Sequence, residues 1–312
     1  MRIVMKSVAS ILVVFCMSAI VVAQGAAPQA PPPPAARKLV SVRLTPKVYW
    51  VKGMGFGAFI VGEKGVIVFD ACRSPEAARQ MQALIAKVTS KPITTMILTH
   101  SDSDHVNGLP AFPAGIRIIS LEQNRKDIVD SATEGHLAPE YMAIPKAYLP
   151  NHIVAGRTEM KIEGEKMVLL SWAPAHSLGD LVIYLPEERI MLAGDLVVLD
   201  QQDLPLIHID HGGSSKGWVT SVQGMLTYDA SLYIVGHEGA VVRDDIEKQL
   251  DAAIAERAKV KELYEKGVPL AEIQVAVQDP NPNKQPASGP ANGPKFPPFS
   301  EVLYTELKRG TF

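Results

Sequence analysis

The chain has 312 residues, 47% of them hydrophobic, 21% charged and 6% aromatic, with two cysteines and a formal net charge of −2. This balance excludes a disordered chain, a collagen and a small disulfide-stabilised domain. The 31 basic and 33 acidic residues leave no positive surplus to neutralise phosphates. A nucleic-acid partner is therefore not expected, and a small-molecule substrate is favoured. No feature of the sequence identifies a protein partner.

The first 23 residues have the features of a secretory signal peptide. Arg2 and Lys6 make a positive start, residues 7–23 carry no charge and are mostly apolar, and the run ends in the small residue Ala23. A transmembrane anchor is the alternative, but about 17 apolar residues are short for a membrane span. We predict a signal peptide over residues 1–23, a periplasmic or secreted location, and no stable membrane insertion after cleavage.

Residues 24–37 form an Ala- and Pro-rich segment with four consecutive prolines at 31–34. This composition cannot bury a core and predicts a semi-rigid tether. Patterning typical of a globular domain begins at residue 38, so residues 38–312 are predicted to form one large domain with a C-terminal helical extension. Removal of the leader leaves Cys72 as the single cysteine, and no internal disulfide is expected.

The first half of the domain combines strand and helix signals. Ser74 followed by Pro75 is typical of a helix N-terminus and predicts a helix to about Thr89. Residues 121–132 predict a second helix, and residues 133–151 a loop-rich stretch with three prolines. Apolar runs bounded by turns predict strands at residues 39–44, 48–51, 56–61, 66–69, 94–98 and 116–120.

A second strand series is followed by further helices. Ile246, Leu250 and Ile254 recur at helical spacing and predict a helix over residues 244–265. Residues 279–298 predict a long surface loop, and residues 298–307 a terminal helix. The predicted strands are residues 160–162, 167–172, 181–185, 190–193 and 232–235. Two strand-rich halves, each followed by helices, predict an α/β fold, a four-layer αββα sandwich.

One segment places four possible metal ligands within six positions, directly after a predicted buried strand. His100 and Asp102 alternate along extended backbone, so their side chains share one side and converge. Asp104 and His105 follow at a turn into Asn107-Gly108. The alternative interpretation is a polar loop whose Asp and Ser side chains cap the next helix.

Three more residues favour metal ligands over a helix-capping loop. His176, Asp195 and His237 each follow a predicted apolar strand, where side chains from different strands reach a common cleft. A single histidine is more often a surface or core residue than a ligand. The ordered set of seven His and Asp residues indicates a metal centre.

This ordered set resembles the metallo-β-lactamase-fold hydrolase superfamily, whose signature is HxHxDH followed by a His, an Asp or Cys, and a final His. The resemblance covers roughly residues 40–265 and implies the αββα fold of the metallo-β-lactamase type. It implies two divalent metal ions, most often Zn²⁺. Site 1 would use His100, Asp102 and His176; site 2 would use Asp104, His105 and His237; Asp195 would bridge the two.

Position 102 departs from the family pattern, because Asp102 stands where the second histidine is expected. A carboxylate is a harder ligand than imidazole and shifts the site toward oxygen-preferring metals, so Mn²⁺ or iron are alternatives to Zn²⁺. With Asp102, Asp104 and Asp195, two divalent ions leave a net charge of about +1 rather than about +2. We expect the metal ions to be weaker Lewis acids than they would be with a histidine at position 102. Partial occupancy of site 1 is the alternative.

The resemblance implies a metallo-hydrolase, and the predicted signal peptide implies that it is exported. A metal-bridged hydroxide would cleave an amide, lactone, ester or thioester, with a β-lactam among the candidate substrates. Asp104 would be the catalytic residue, orienting that hydroxide and passing its proton to the leaving group. Two alternatives stay open: an iron-dependent oxidoreductase on the same fold, and a non-catalytic metal-binding or sensory member.

Residues that shape a substrate pocket are less well marked. Met54 and Phe56 lie in a glycine-rich stretch where the family often carries a mobile hairpin, and a glycine-bulged strand pair is the alternative. His211 lies between Asp195 and His237 and is a candidate substrate contact or a solvent-exposed loop residue. Asp70 ends a strand and is a candidate support for the metal ligands, or only the cap of the next helix.

Overall fold

Two mixed β-sheets form the centre of the computed structural model. The structure describes residues 38–53, 57–133, 135–172, 174–199, 204–237, 239–278 and 296–312. The predicted leader and tether, Met54, Phe56, and residues 279–295 of the predicted long loop lie outside the described residues. Among the described residues, no helix combines the length and the hydropathy that a membrane span requires.

The first sheet has seven strands in the order β1-β2-β3-β4-β5-β6-β8. Its first four strands pair antiparallel, and β4, β5, β6 and β8 continue it in parallel. The short strand β7 forms a single bridge to Ala132 outside this sheet. The strands are β1 (Val40–Arg43), β2 (Val48–Lys52), β3 (Ala58–Val61), β4 (Val66–Phe69), β5 (Ile93–Ile97), β6 (Arg117–Leu121), β7 (His136–Leu137) and β8 (His152–Val154).

The second sheet has six strands in the order β14-β13-β12-β11-β10-β9. All its neighbours pair antiparallel except β12 and β13, which are parallel. The strands are β9 (Thr158–Ile162), β10 (Glu165–Leu170), β11 (Val182–Leu185), β12 (Ile190–Val198), β13 (Leu232–Gly236) and β14 (Gly239–Val241).

Helices follow the strands of both sheets. The Ser74 side chain accepts a hydrogen bond from the backbone N of Ala77 at 3.2 Å, and Pro75 occupies the first helical position, so the first helix begins where the sequence predicts. The helices are α1 (Pro75–Val88), α2 (Ser103–Val106), α3 (Glu122–Ala132), α4 (Ser215–Leu226), α5 (Arg243–Glu265), α6 (Leu270–Val277) and α7 (Phe299–Arg309), with 3₁₀ turns at Leu109–Ala111, Lys146–Tyr148 and Ile209–His211.

Three hydrophobic clusters define four layers. In β4, Ile67 and Phe69 face the second sheet, where Leu169 and Ile183 belong to the same buried cluster. Because side chains alternate along a strand, the other residues of β4 face outward and pack against Met81 and other buried residues of α1. On the opposite side, the second sheet packs against residues of α4, α5 and α7. The predicted αββα sandwich is therefore confirmed.

Several boundaries differ from the sequence prediction. The strand predicted over residues 190–193 continues to Val198 as β12. Gly194-Asp195 has the local pattern of a turn, but bulges around Gly194 accommodate both residues in a strand that stays paired with β13. Gly194 has a φ of 53°, and a Cβ there would lie 2.6 Å from Thr99 Oγ1. Three helices are not among those predicted from the sequence: α2, whose four residues include two of the predicted metal ligands, α4 and α6.

Candidate metal centre

The first sheet supplies one side of the centre. β4 and β5 are parallel neighbours, so their carboxyl ends lie at the same edge of the sheet. Asp70 directly follows β4, and His100 lies three residues beyond the end of β5. Asp102 is the residue before α2, which carries Asp104 and His105. The second pair of ligands thus lies on one turn of helix rather than in the turn that the sequence predicted.

The second sheet supplies the other side. His176 lies in the connection between β10 and β11, Asp195 lies within β12, and His237 directly follows β13. His237 has a φ of 52°, a left-handed conformation that is strained for a residue other than glycine. A Cβ at Gly236 would lie 2.1 Å from Asp195 Oδ1. Glycine at that position therefore leaves room for the Asp195 carboxylate.

Asp102 meets the two predicted site 1 histidines through one of its carboxylate oxygens. Oδ2 of Asp102 lies 3.2 Å from Nε2 of His176 and 3.7 Å from Nε2 of His100. All three side chains are at least 96% buried. Their ligand atoms lie within 4.8 Å of one another, which is close enough for one ion.

Asp195 meets the site 2 histidines through both of its oxygens. Oδ1 lies 3.2 Å from Nε2 of His105, and Oδ2 lies 3.1 Å from Nε2 of His237. Asp104 Oδ2 lies 3.7 Å from Nε2 of His105. His100, His105 and Asp195 also form a group whose ligand atoms lie within 4.8 Å of one another. The two predicted sites are therefore adjacent.

Hydrogen bonds on the far side of each imidazole decide which ring nitrogen faces the cleft. Nδ1 of His105 lies 2.8 Å from Asp70 Oδ2, and Nδ1 of His176 lies 3.0 Å from the carbonyl oxygen of Leu206. Both oxygens are acceptors, so each Nδ1 donates. In a neutral imidazole the other nitrogen, Nε2, then carries a lone pair. Each of these lone pairs points at a carboxylate, an arrangement that a cation between them stabilises.

The tautomer of His100 is selected in the same way, by the hydroxyl of Thr99. The Thr99 hydroxyl donates to Asp70 Oδ2 at 2.6 Å and is left to accept from His100 Nδ1 at 3.1 Å. Nε2 of His100 is buried and has no hydrogen-bond partner among the described residues. An unpartnered buried nitrogen beside two carboxylates is costly for a protein without a metal and is what a metal ligand requires. The residues present thus fit divalent metal ions.

The charges of the cluster are strongly coupled. Burial raises the pKa of Asp102, but the surrounding imidazoles of His100, His176, His208 and His211 outweigh burial and hold that pKa well below its usual range. Burial lowers the pKa of His176, but the hydrogen bond to Asp102 raises it to about 9. Burial likewise opposes the charged forms of His105 and Asp195, yet the pKa of His105 is raised and that of Asp195 lowered by their mutual attraction. The buried carboxylates therefore attract positive charge, which protons or metal ions supply.

Asp70 supports two ligands at once. Its Oδ1 accepts from the backbone N of Thr99 at 2.7 Å, and its Oδ2 accepts from the Thr99 hydroxyl and from His105. Asp70 is fully buried and has a φ of 55°. It does not contact the cleft directly; it orients His105, and through Thr99 it orients His100.

All seven residues that the sequence singles out as metal ligands come together in this cleft. Their individual roles as ligands, and that of Asp104 as catalytic residue, stay predictions. The candidate substrate contact His211 lies against Asp102 instead, with Nδ1 3.0 Å from Oδ1. Nδ1 of His208, in the same loop, lies 3.3 Å from Oδ1 and 3.2 Å from Oδ2 of Asp102. The spacing His208-x-x-His211 on a 3₁₀ turn is the signal that marks this pair.

Two curated proteins are similar in sequence to this chain. Among curated proteins, the chain is 27% identical over 213 residues to 2,4-dinitroanisole O-demethylase subunit alpha of Nocardioides sp. (strain JS1661), covering 68% of this chain and 61% of that protein. It is 22% identical over 229 residues to a linear primary-alkylsulfatase of Pseudomonas sp. (strain ATCC 19151), covering 61% of this chain and 43% of that protein. The match thus spans less than two thirds of each relative.

Solved structures share the fold. A metallo-beta-lactamase from Pontibacter korlensis superposes with a TM-score of 0.57 at 16% identity, covering 69% of this chain and 98% of that one. A double mutant of the sec-alkyl sulfatase PisA1 superposes with a TM-score of 0.66 at 17% identity, covering 87% of this chain and 50% of that one. The model of the metallo-beta-lactamase superfamily matches residues 52–237, more than half of the sequence. With this match and this fold, the chain belongs to the metallo-beta-lactamase superfamily.

Proposed function

We propose that the protein is a metal-dependent hydrolase that acts on a small molecule. One observation carries the proposal: Nε2 of His100, His105 and His176 is turned into a single cleft, toward Asp102 and Asp195. The superfamily includes hydrolases, and a named alkylsulfatase is among the relatives of this chain. Divalent metal ions bound there would supply an acidified water and stabilise developing negative charge.

The chain's own residues have separate tasks in this proposal. The three imidazoles and Asp195 would hold the ions, and Asp70 keeps Nδ1 of His105 occupied so that Nε2 stays a ligand. Asp104 is the most exposed carboxylate of the cluster, with 20% of its side chain accessible. Its Oδ2 is therefore the atom that can take a proton from the attacking water and return it to the leaving group.

We propose zinc as the usual metal, with two ions per cleft, and manganese or iron as alternatives. Histidine-rich ligand sets suit Zn²⁺, whereas the Asp102 carboxylate is harder than the imidazole it replaces. The two groups of possible ligands adjoin each other at His100, and since its single Nε2 can bind only one ion, Asp104 and His237 would complete the second group.

The relatives guide the choice of substrate. Their names describe the removal of a methyl group from the oxygen of 2,4-dinitroanisole and the cleavage of alkyl sulfates. Both substrates join an alkyl carbon to a good leaving group through oxygen. We therefore place alkyl sulfates and activated aryl ethers first among candidate substrates, ahead of the lactones, thioesters and β-lactams that the superfamily signature alone suggests.

A substrate panel with defined metal content tests the proposal. The purified protein, depleted of metal and reloaded with Zn²⁺, Mn²⁺ or Fe²⁺, is assayed against these five substrate classes. We expect hydrolysis of at least one class that is lost with a chelator and restored by metal. The variant Asp104→Asn, compared with the wild type at equal metal content, should lower kcat by roughly 100-fold or more. Absence of bound metal at neutral pH would overturn the proposal.

The same metal-loaded samples distinguish the hydrolase from the oxidoreductase alternative. Iron bound in preference to zinc, together with oxygen consumption, would replace hydrolysis by oxidation as the function. Full metal occupancy without turnover on any of the five classes would favour a non-catalytic, sensory member.

We also propose that the protein is exported to the periplasm or secreted. The support is Arg2 and Lys6, the uncharged apolar run over residues 7–23, and the small residue Ala23 at its end. Expression of the full chain in a Gram-negative host should yield a product whose N-terminal sequence begins at residue 24, in the periplasmic or medium fraction. An uncleaved product retained in the cytoplasm would contradict this.

A further inference from the structure

Two pairs of histidines surround the carboxylate of Asp102. Oδ2 faces His100 and His176, as the site 1 prediction requires. Oδ1 faces Nδ1 of His211 at 3.0 Å, and Nδ1 of His208 lies 3.3 Å from Oδ1 and 3.2 Å from Oδ2. We propose that Asp102 is a bridging ligand, and that its Oδ1 binds a third divalent cation together with His208 and His211. We call this position site 3.

The spacing of the donor atoms fits a metal shell. Around a tetrahedral zinc ion, ligand atoms at about 2.0–2.1 Å from the metal lie roughly 3.3 Å from one another. The three donors of site 3 lie within 4.8 Å of one another, and the two measured nitrogen-to-oxygen distances are close to the tetrahedral value. Two imidazoles and one carboxylate form a ligand set that binds zinc and iron.

Both imidazoles of site 3 are held in place by the backbone. The loop with His208 and His211 is hydrogen-bonded to the loop with His176: the backbone N of His208 donates to the carbonyl of His176 at 2.7 Å. Leu178 N donates to the carbonyl of His211 at 3.0 Å, and Ser214 N donates to the carbonyl of Ala175 at 2.9 Å. Because one rigid unit carries ligands of site 1 and site 3, little ordering is needed when a metal binds.

Access to site 3 is open on one side only. The Asp102 side chain is 4% exposed, that of His208 is 10% exposed, and that of His211 is 19% exposed. The His208 and His211 rings pack with their centroids 3.8 Å apart. Two imidazolium ions at that separation would repel each other, whereas two neutral rings can share one cation.

Site 3 also accounts for the carboxylate at position 102. An imidazole offers one ring nitrogen to one ion, whereas a carboxylate can bind one ion through each oxygen. A histidine at position 102 would complete site 1 but would remove the bridge to His208 and His211. The departure from the superfamily signature and the two additional histidines thus belong to one arrangement.

Metal stoichiometry tests the inference without reference to any reaction, so it stands or falls separately from the proposed hydrolase activity. The metal-depleted protein is dialysed against buffered Zn²⁺, and zinc per chain is measured by elemental analysis, with circular dichroism as the check on folding. We expect three equivalents for the wild type and two for His211→Ala, which changes a partly exposed residue, and for His208→Ala/His211→Ala.

Two further variants sharpen the result. Asp102→His should bind two equivalents, because site 1 gains an imidazole and site 3 loses its bridge. His152→Ala is the matched control: this histidine lies on β8 beside Arg117, outside the cluster, and its replacement should leave three equivalents. Two equivalents in both the wild type and the double variant would overturn the inference, since the two histidines would then be only hydrogen-bond donors to Asp102. A fall from two zinc equivalents in the wild type to one in the double variant would also overturn the inference, since the two histidines would then belong to site 1.

Discussion

At the scale of single residues, the chemistry of the cleft depends on atoms that face away from it. Asp70, Thr99 and the carbonyl oxygen of Leu206 occupy Nδ1 of three histidines. Each contact selects the tautomer whose Nε2 lone pair enters the cleft. Removal of such a partner should therefore weaken metal binding although no ligand changes.

Asp70→Asn tests this directly. The amide can still accept from Thr99 but loses the negative charge that His105 Nδ1–H faces in a fully buried position. We expect zinc affinity to fall roughly 10- to 100-fold, as measured by competition with a chelating dye. Asp229→Asn, at a carboxylate with 78% of its side chain exposed, is the control and should leave affinity unchanged. Equal affinities for both variants and the wild type would show that Asp70 does not support the ligands.

Cys72 lies near the metal centre, but we expect its thiol to be unreactive. It is 2% exposed, and burial, together with the nearby charge of Asp70, raises the pKa of its thiol to about 12. At about pH 8 only roughly one molecule in ten thousand carries the thiolate. In a Cys16→Ser background, the folded protein should not react with a disulfide reagent, whereas the denatured protein should react fully. Rapid stoichiometric labelling of the folded protein would contradict this.

At the scale of elements, β12 and α4 act together to hold Asp195. Trp218 of α4 is fully buried, and its indole N–H donates to the carbonyl oxygen of Leu196 at 2.6 Å. This bond satisfies a carbonyl next to Asp195, in a strand whose pairing is interrupted by bulges. The helix thereby stabilises the part of the strand that carries the ligand.

The N-terminus of α4 gives a test at this scale. The Ser214 side chain accepts from the backbone N of Gly217 at 3.2 Å and caps the helix. Ser214→Ala should lower the free energy of unfolding by about 1 kcal/mol, as measured by urea denaturation of the metal-depleted protein. Ser90→Ala, at an exposed position outside any helix, should change it by less than about 0.5 kcal/mol. Indistinguishable values for the two variants would mean that the cap does not stabilise α4.

At the scale of the whole molecule, the ligands come from both sheets. His100, Asp102, Asp104 and His105 follow the first sheet, whereas His176, Asp195 and His237 belong to the second. Metal ions bound between these sets would connect the two halves of the sandwich. Binding of metal to the folded state alone stabilises that state by mass action.

Metal removal should therefore lower the melting temperature. At a free zinc concentration of about 1,000 times Kd, one ion contributes about 4 kcal/mol. At about 2–4 °C per kcal/mol for a domain of this size, a chelator should lower Tm by roughly 8–16 °C. Differential scanning calorimetry with and without chelator, followed by addition of zinc, measures the shift and its reversal. The same Tm in all three samples would exclude a metal that bridges the sheets.

Much of the fold could be predicted because it follows from local patterns. Ser74-Pro75 marks the start of α1, the apolar run at residues 66–69 is β4, and the run predicted at residues 94–98 is β5, displaced by one residue. The end of β12 could not be predicted, since Gly194-Asp195 has the local pattern of a turn and only pairing with β13 keeps it in the sheet. The four-residue helix α2 is likewise too short to leave a periodic signal.

The sequence by itself determined which residue types could form the metal centre and in which order they occur, because the HxDxDH segment and the later His and Asp residues are properties of the chain. The tertiary structure decided which of them meet. It brought His208 and His211 to Oδ1 of Asp102, over more than 100 positions of sequence. That contact depends on how two sheets and their loops pack, and no local pattern around position 102 or position 208 contains it.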